Sequence, residues 1–381
     1  ETAPSIRDLR ELARQALPSV MFDYLEGAAE DEVTARRNER SFDQWRFRPR
    51  VLRDVTSIDL STSVLGADLA LPVFTAPTGL TRMFHHDGER AAAAASHAAG
   101  TGYCLSTVGT TSIEEVRAAH PGPLFFQIYA WHDRRMVDDF IERCRAQSYH
   151  GILLAVDLAA LGKRDRDLHN GHGRPRALRV NTAKAALRRP TWLYHYLTKP
   201  AWRMANMVDH LPHGANALKV VDEVNAQFDA SVDWGRARAM RDAWDGPFVL
   251  KGVQHVDDAV LAAEMGCDAI VLSNHGGRQL DGAPTALDLL PAVRSAVGSG
   301  MEIWVDGGIR RGSDIIKALC LGADCCLIGR AMLYGLAAGG QAGVERAYAI
   351  LRDEMERTMR LVGCERVSAL GMEYVERVER G

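Results

Sequence analysis

Short apolar runs rich in β-branched residues recur along the chain, and each is followed by a polar or glycine-containing turn and a helical pattern. The runs are apolar throughout rather than alternating, which is typical of parallel strands covered on both faces. Eight such strands with intervening helices predict a (β/α)8 TIM barrel of the α/β class. The predicted strands span residues 71–76, 103–106, 124–129, 151–157, 247–251, 269–273, 302–306 and 325–328.

The remaining segments fit around one barrel, so residues 1–381 are predicted to form a single domain with its strands within about 71–330. Ser5 is placed to cap an N-terminal helix, and residues 343–362 have the periodicity of a C-terminal helix. Roughly ninety residues separate the fourth and fifth strands, far more than an ordinary strand-to-helix unit needs. A long insertion over about 165–232 is therefore predicted after the fourth strand.

Composition excludes several classes of protein. The 381 residues are 47% hydrophobic, enough for a large core, and the net charge of −3 gives no reason to expect nucleic-acid binding. The seven cysteines form no CxxC pair and no metal-ligand spacing with histidine, so we expect reduced, buried thiols in a cytoplasmic protein and no metal site. With no signal peptide and no apolar run of about 18 residues, no membrane-spanning helix is predicted.

Polar residues and glycines occur where the predicted strands end. In a (β/α)8 barrel those ends share one face, and that face carries the active site. We therefore expect a set of such residues to lie together: Pro77, Thr78, Ser106, Gln127, Tyr129, Asp157, Lys251, His275, Asp306, Gly307, Gly329 and Arg330.

The run Ser-Asn-His-Gly-Gly-Arg-Gln over residues 273–279 is the most informative of these strand ends. Imidazole is the side chain whose ordinary pKa lies nearest neutrality, which suits His275 to accept a proton from substrate carbon or oxygen. The guanidinium of Arg278 can bind a carboxylate through two parallel hydrogen bonds. A base beside an anion-binding group indicates chemistry at the carbon next to a carboxylate. Taken alone, the run also fits a polar surface turn.

Glycines and arginines follow the last two predicted strands. Asp306, Gly307, Gly308 and Arg310 come after the seventh strand, and Gly329-Arg330 after the eighth. Glycines let backbone N–H groups approach a phosphate, and arginines supply the opposing charge. Such barrels often bind phosphate here, so a phosphorylated cofactor or substrate is predicted. Tight turns with solvated arginines are the alternative.

With these motifs the chain resembles the FMN-dependent L-2-hydroxy-acid oxidase and dehydrogenase family over nearly its whole length. That family includes glycolate oxidase, flavocytochrome b2, quinone-linked L-lactate dehydrogenase and mandelate dehydrogenase. The 273–279 string is highly specific to it. The other matching positions are Tyr24, Ala76-Pro77-Thr78-Gly79, Gln127-Ile128-Tyr129, Asp157 with Arg164, Lys251-Gly252, residues 306–310 and Gly329-Arg330.

The resemblance implies an enzyme that oxidises an L-2-hydroxy acid, either lactate or a mandelate-like acid, to the 2-oxo acid. His275 would be the base, supported by Asp157, because a carboxylate stabilises the charge that the imidazole acquires. Core tyrosines and a strand-end aspartate are the plainer interpretations of some of these positions. The groups that would bind the substrate carboxylate or hydroxyl are Arg278, Arg164, Tyr24 and Tyr129.

The same resemblance implies FMN as the cofactor and indicates where it would bind. Lys251 would lie beside the flavin and stabilise the negative charge of the reduced ring. One position departs from the family, because Ala155 stands where a threonine hydroxyl usually contacts the flavin. The residues that would line the ring are Ala76, Pro77, Thr78, Ser106, Gln127 and Ser273, while Asp306 would reach the ribityl chain and Gly307, Gly308, Arg310, Gly329 and Arg330 would hold the phosphate.

The insertion contains a stretch, residues 174–203, with many basic residues, no Asp or Glu, and interleaved aromatic rings. This mixture suits an anionic membrane surface. Membrane-bound lactate and mandelate dehydrogenases are similar in having their membrane segment here, which favours peripheral attachment at the inner face of the cell membrane. A lid or an oligomer contact is the alternative, and the resemblance also implies a homotetramer. The residues are Arg174, Arg176, Arg179, Lys184, Arg188, Arg189, Lys199 and Arg203, with Trp192, Tyr194, Tyr196 and Trp202.

Gly79 bears on the electron acceptor. Oxidases of the family commonly have alanine here, while dehydrogenases that pass electrons to quinone or a protein often have glycine. Gly79 therefore favours a quinone or redox-protein acceptor over oxygen with hydrogen peroxide as product, although it also fits a tight turn. Two other functions stay open at this stage: a non-catalytic flavin-binding barrel or redox sensor, and a flavin-free barrel for a phosphorylated sugar.

Overall fold

The computed structural model describes residues 3–171, 175–210 and 228–378 of the chain. Eight parallel strands close into a barrel, in which the last strand pairs with the first through the register of Cys326 with Val73. The predicted (β/α)8 fold is therefore confirmed. The barrel strands are β1 (Val73–Thr75), β2 (Gly102–Ser106), β3 (Leu124–Tyr129), β4 (Gly151–Ala155), β5 (Phe248–Val253), β6 (Ala269–Leu272), β7 (Glu302–Asp306) and β8 (Cys325–Ile328).

The strand ends differ from the predicted bounds by a few residues, and one difference shapes the site. β4 ends at Ala155, so Asp157 lies in the loop beyond it, while β5 continues past Lys251 to Val253 with an irregular register. Gly252 has a φ of +104°, and a Cβ added there would lie 2.7 Å from the Cβ of Asp157. Glycine at this position therefore lets Asp157 come close to β5.

Helices cover the outside of the barrel. Ser5 caps the first helix by accepting the N–H of Asp8, as predicted. The last helix begins at Arg330, whereas the sequence predicts a start at residue 343. Gly339 and Gly340 have non-helical backbone angles within this helix, and they interrupt the periodicity on which that prediction rests. The helices are α1 (Ile6–Ala16), α2 (Ser19–Glu26), α3 (Val33–Arg40), α4 (Gly88–Ala98), α5 (Ile113–Ala119), α6 (Arg134–Ala146), α7 (Asp165–His169), α8 (Pro175–Ala186), α9 (Pro190–Thr198), α10 (Trp234–Asp242), α11 (Val256–Met265), α12 (Ala286–Val297), α13 (Gly312–Cys320) and α14 (Arg330–Val362).

Aromatic rings fill the interior of the barrel at the end where the strands begin. Phe74 stacks on Trp304 with ring centroids 5.2 Å apart, and Phe125 meets both rings edge-on at 5.3 Å. A short hairpin of Thr62–Val64 and Ala67–Leu69 closes this end, with Val64 and Leu69 in the same apolar cluster. Since this end is sealed, polar chemistry is left to the opposite end of the barrel.

The segment 24–40, here called the N-terminal clasp, lies over that opposite end. Its backbone meets the turn after β6, because Ala29 N donates to Gly277 O at 2.8 Å. Farther along, Thr34 N at the start of α3 donates to Asp281 Oδ1 at 2.7 Å, which supplies an acceptor to the helix N-terminus. The N-terminal clasp and the turn after β6, which are about 250 residues apart in sequence, therefore form one wall of the site.

The insertion after β4 contains α7, α8 and α9, although residues 172–174 and 211–227 lie outside the described part of the chain. Its helix α9 rests on the loop after β1, where Trp192 Nε1 donates to Met83 O at 2.9 Å. Arg174 and the side chain of Arg176 fall outside the described residues. Among the residues described, no helix has the length and apolar character needed to cross a bilayer. All seven cysteines are free and buried, as predicted.

Candidate active site

His275 and Asp157 form a close pair at the mouth of the barrel. The Nδ1 atom of His275 lies 3.1 and 3.2 Å from the two carboxylate oxygens of Asp157, whose side chain is 1% exposed. Burial alone would raise the pKa of Asp157, but the neighbouring His275 and Lys251 outweigh it and hold the pKa below its ordinary value. The carboxylate thus stays ionised and fixes the imidazole, leaving Nε2 as the nitrogen that can face a substrate.

The backbone at His275 is unusual, and it aims the side chain. His275 has a φ of +58°, in the left-handed region that few non-glycine residues occupy, and the next two glycines also have positive φ. The hydroxyl of Ser273 accepts the N–H of His275 at 3.0 Å, which anchors the turn from within the barrel. The glycines after the histidine are therefore required for a sharp turn at the end of β6.

Two arginines approach each other beside this pair. Arg278 is half-buried, and its Nη1 donates to the carbonyls of Tyr24 at 2.9 Å and Gly27 at 2.7 Å. Burial and the charge of Arg164 lower the pKa of Arg278 to about 10. Arg164 itself lies 3.7 Å from a carboxylate oxygen of Asp167. Two half-buried guanidinium groups whose charges act on each other form a site that favours an anion.

The two predicted tyrosines border the same space. The ring of Tyr24 lies 5.1 Å from the guanidinium carbon of Arg278, so the cation sits over its face. Tyr129 is buried and packs edge-on against Trp131 and Phe228. Burial raises the pKa of Tyr129 well above its ordinary value, and the Asp157 carboxylate adds to the shift. Its hydroxyl therefore remains a hydrogen-bond donor at any physiological pH.

Lys251 belongs to a buried network that joins three strands. Its Nζ donates to Ser273 Oγ at 3.0 Å and lies 3.1 Å from Asp306 Oδ2, and Ser273 Oγ donates to the same carboxylate oxygen at 2.7 Å. Burial works to lower the pKa of Lys251, but Asp306 and then Asp157 outweigh it, and the net shift is upward. The mouth of the barrel thus holds a permanent positive charge.

The glycines and arginines predicted to hold phosphate follow β7 and β8, and both arginines make contacts within the protein. Gly307 and Gly308 have φ values of +102° and +84°. Arg310 pairs with Glu39 at 2.8 Å. Arg330 donates to the carbonyls of Gly276 at 2.8 Å and Gly27 at 2.9 Å, so it ties the N-terminal clasp to the His275 turn.

Comparison with known proteins decides the family. The sequence model described as FMN-dependent dehydrogenase matches residues 13–377. This chain belongs to the FMN-dependent dehydrogenase family. An L-lactate dehydrogenase of Caulobacter vibrioides is 40% identical over 378 residues, covering 99% of this chain and 98% of that protein.

Solved structures agree with the family. A structure described as the monotopic membrane protein (S)-mandelate dehydrogenase has a TM-score of 0.94 and 34% identity, covering 99% of this chain and 100% of that one. A soluble mutant of the membrane-associated (S)-mandelate dehydrogenase from Pseudomonas putida has a TM-score of 0.84 and 35% identity, covering 98% and 99%.

The mouth of the barrel fits the FMN that gives the family its name. Thr78 Oγ1 and Gln127 Nε2 are buried with no hydrogen-bond partner among the described residues. Ser106 Oγ donates to Gln127 Oε1 at 3.0 Å and thereby leaves the amide N–H group for another acceptor. Unpaired buried polar atoms are rare in folded proteins, and the ring of FMN offers carbonyl and nitrogen partners for them. A Cβ added at Gly329 would lie 3.7 Å from the Cβ of Ala76 and 4.0 Å from Cγ2 of Thr78, so these residues are neighbours.

One part of the site could not be found in the sequence. Asn38 of α3 is buried and exchanges two amide hydrogen bonds of 2.8 Å with Asn274. The backbone carbonyl oxygen of Asn38 occupies the space that a Cβ at Gly308 would need. Asn38 thereby positions both the His275 turn and the glycines after β7. Its pattern is that of an ordinary helical residue, so only the three-dimensional contact identifies it.

Proposed function

We propose that the protein oxidises an L-2-hydroxy acid to the corresponding 2-oxo acid with FMN as cofactor. The observation that supports this most strongly is the pairing of His275 with Asp157 in the same turn that carries Arg278, whose charge interacts with that of Arg164. A base next to a two-arginine anion site suits a substrate whose reacting carbon carries a carboxylate. Relatives named lactate and mandelate dehydrogenases support the same substrate class.

Each side chain in the proposal has one task. Arg278 and Arg164 bind and orient the carboxylate, while Tyr24 and Tyr129 donate hydrogen bonds to the carboxylate or hydroxyl. His275 accepts a proton, either from the substrate hydroxyl or from Cα, and Asp157 stabilises the imidazolium that results. FMN, when bound, accepts the two electrons that leave the substrate.

Lys251 contributes through its charge. A buried ammonium that remains protonated stabilises negative charge beside it without reorganising. We assign it to the edge of the flavin, with Ser273 and Asp306 as the groups that fix its position. Gly307, Gly308, Arg310, Gly329 and Arg330 are proposed to surround the phosphate.

We propose a quinone or another non-oxygen compound as the acceptor. Gly79 supports this through its neighbour, because a Cβ at Gly79 would collide with Cγ2 of Val108 in the loop after β2. Gly79 has no methyl group, and the side chain of Val108 occupies part of the space that this group would need. The two residues together shape the proposed space beside the flavin. An oxidase that uses oxygen and releases hydrogen peroxide is the alternative.

The stretch 174–203, here called the α8–α9 segment, is proposed to attach the enzyme to an anionic membrane surface. Leu187, Tyr194 and Leu197 are 74%, 62% and 71% exposed, which is unusual for large apolar side chains. Arg188 and Lys199 are exposed beside them. Exposed rings and apolar chains between cations suit the boundary of headgroups and acyl chains. The similarity of the whole chain to a monotopic membrane protein, at a TM-score of 0.94, supports this location.

One panel of substrates tests the proposal. The purified enzyme should be yellow and should turn over lactate, mandelate or both with a quinone-like dye, and a parallel assay in air should measure hydrogen peroxide. A colourless protein would support the sugar-phosphate barrel, while a yellow protein without turnover of any 2-hydroxy acid would support the non-catalytic flavoprotein. A homotetramer remains our expectation for its assembly, and light scattering would test it.

A further inference from the structure

Three histidines meet where α9 rests on the loop after β1. His85 and His86 precede α4, and their ring centroids lie 4.3 Å apart. His195 comes from α9, and its ring stacks on that of His86 at 4.2 Å with an angle of 19° between the planes. The carboxylate of Asp87 adjoins both neighbouring imidazoles. We call these four residues the histidine cluster.

Part of the histidine cluster has the spacing of a metal site. His86 Nε2 lies 3.4 Å and His85 Nδ1 lies 3.8 Å from Asp87 Oδ2. Within the described parts of the chain, these three are the one group of His, Cys, Asp or Glu whose ligand atoms all lie within 4.8 Å of one another. A tetrahedral zinc ion at about 2.0–2.2 Å from its ligands needs separations of roughly 3.5 Å. A side-chain rotation that moves a ring by about an ångström would bring the three ligand atoms to the separations of a tetrahedral site.

Two ring nitrogens of the histidine cluster lack a hydrogen-bond partner. The buried Nδ1 atoms of His86 and His195 have none among the described residues. A ring nitrogen of His86 is therefore available for a further contact.

We propose that His85, His86 and Asp87 bind a divalent transition-metal ion of the zinc type. Two imidazole nitrogens and a carboxylate oxygen match the ligand preferences of zinc and leave a position for water. The carboxylate of Asp87 offsets the positive charge of the ion, whereas the nearby cations Arg82 and Lys199 repel the ion. Arg82 is held away by its own bonds to the carbonyls of His86 at 2.9 Å and Pro200 at 2.8 Å.

His195 is a positioning residue in this proposal rather than a ligand. Its ring nitrogens do not belong to the group whose ligand atoms all lie within 4.8 Å of one another. The stack instead couples α9 to the ring that binds the metal. A bound ion would therefore fasten the α8–α9 segment to the loop that begins with Pro77, Thr78 and Gly79.

The chain contains its own control for this geometry. His255 and Asp257 repeat the His-x-Asp arrangement, because His255 Nδ1 accepts the N–H of Asp257 at 3.2 Å and lies 3.6 Å from its Oδ2. The corresponding bond from Asp87 N to His85 Nδ1 is 3.3 Å. The control pair lacks a second histidine and is largely exposed, so it should not hold an ion by itself.

Calorimetric titration of zinc chloride into chelator-treated, FMN-loaded enzyme tests the proposal. The wild type should bind one ion, and Asp87→Asn and His86→Gln should each weaken the affinity by more than about tenfold. His255→Gln should leave it unchanged. Asp87 makes no side-chain cap bond to α4, so Asp87→Asn is expected to fold, and flavin content checks this. Absence of saturable binding in the wild type, or equal weakening in His255→Gln, would overturn the site.

A second measurement separates the ligands from the positioning residue. His195→Phe preserves a flat ring against His86 and should keep zinc affinity within about threefold, well below the loss expected for a ligand. Zinc should slow hydrogen exchange in α9 of the wild type, and Asp87→Asn should abolish that protection. Loss of zinc binding in His195→Phe would overturn the three-residue ligand set, and unchanged exchange in α9 would overturn the coupling.

Discussion

The mouth of the barrel and the α8–α9 segment both contain arginines, but they use them in opposite ways. At the mouth, Arg278 is half-buried and fixed by the carbonyls of Tyr24 and Gly27. In the segment, Arg188 and Arg203 are exposed. A half-buried cation acts strongly on one anion in a medium of lowered polarity, whereas exposed cations act collectively and are screened by salt. Turnover and location should therefore respond to separate sets of substitutions.

His275→Ala should have the largest effect. Loss of the proton acceptor should lower kcat by about 10³-fold or more, while FMN remains bound because its pocket is unchanged. Steady-state kinetics and the flavin spectrum measure the two quantities, with His255→Ala as the exposed histidine control. A variant that retains more than about a tenth of wild-type kcat would refute His275 as the base.

Arg278→Lys should be almost as severe, with a fall in kcat/KM of about 10²-fold or more. A lysine keeps the charge but cannot reproduce a bidentate bond to a carboxylate or the contacts with two backbone carbonyls. Arg135→Lys, at an 88% exposed side chain, is the matched control. Unchanged kcat and KM in Arg278→Lys would place the substrate carboxylate elsewhere.

The segment tests the other half of the comparison. Replacing Arg188, Lys199 and Arg203 with glutamine should weaken binding to anionic vesicles by about 10²-fold, given roughly 1 kcal/mol per basic residue near such a surface. Turnover with a soluble dye should not change. Vesicle sedimentation at several salt concentrations measures this, and wild-type protein that shows no salt-sensitive binding would favour a lid or an oligomer contact.

Arg189 is the control within that segment. Its guanidinium donates to the carbonyls of Leu17 at 2.9 Å and Arg14 at 3.3 Å, so it is already engaged with the end of α1. Arg189→Gln should therefore lower the melting temperature of the protein, while its affinity for anionic vesicles should stay close to that of the wild type. The opposite result would mean that this arginine faces the lipid.

Gly79→Ala should have the smallest effect, and it addresses the acceptor. The added methyl group collides with Val108, so the single variant changes packing beside the flavin. Combining it with Val108→Ala makes room for the methyl group. We expect the double variant to alter the ratio of oxygen to quinone reactivity by about tenfold, or roughly 1.4 kcal/mol. Stopped-flow reoxidation measures this, and wild-type reoxidation in air that matches turnover would make the protein an oxidase.

Most of the barrel could be predicted from the sequence because buried parallel strands leave a local signal. The apolar runs at 124–129, 302–306 and 325–328 coincide with strands of the structure. Since strand ends share one face, the position of His275 and Lys251 near each other also followed. Residues that lie close to the carboxyl end of a predicted strand could therefore be assigned to the candidate site from the sequence.

The parts that could not be predicted depend on contacts between distant segments. Asn38 and Asn274 are 236 positions apart, and neither has a pattern that announces its partner. The histidine cluster is similar, because His195 comes from the insertion while His85 and His86 precede α4. The expectation of no metal site rested on the spacing of the cysteines, which carries no information about the adjacent His85, His86 and Asp87.

The N-terminal clasp has a consequence for the order in which the molecule is made. Residue 27 is bonded to residues 278 and 330, and residue 34 to residue 281, so the clasp cannot reach its native position until residue 330 has been synthesised. Contacts this distant in sequence are slow to form. The clasp must therefore wait, unpartnered, while the early strands fold, and the pocket becomes competent to retain its cofactor only in the final stage of folding.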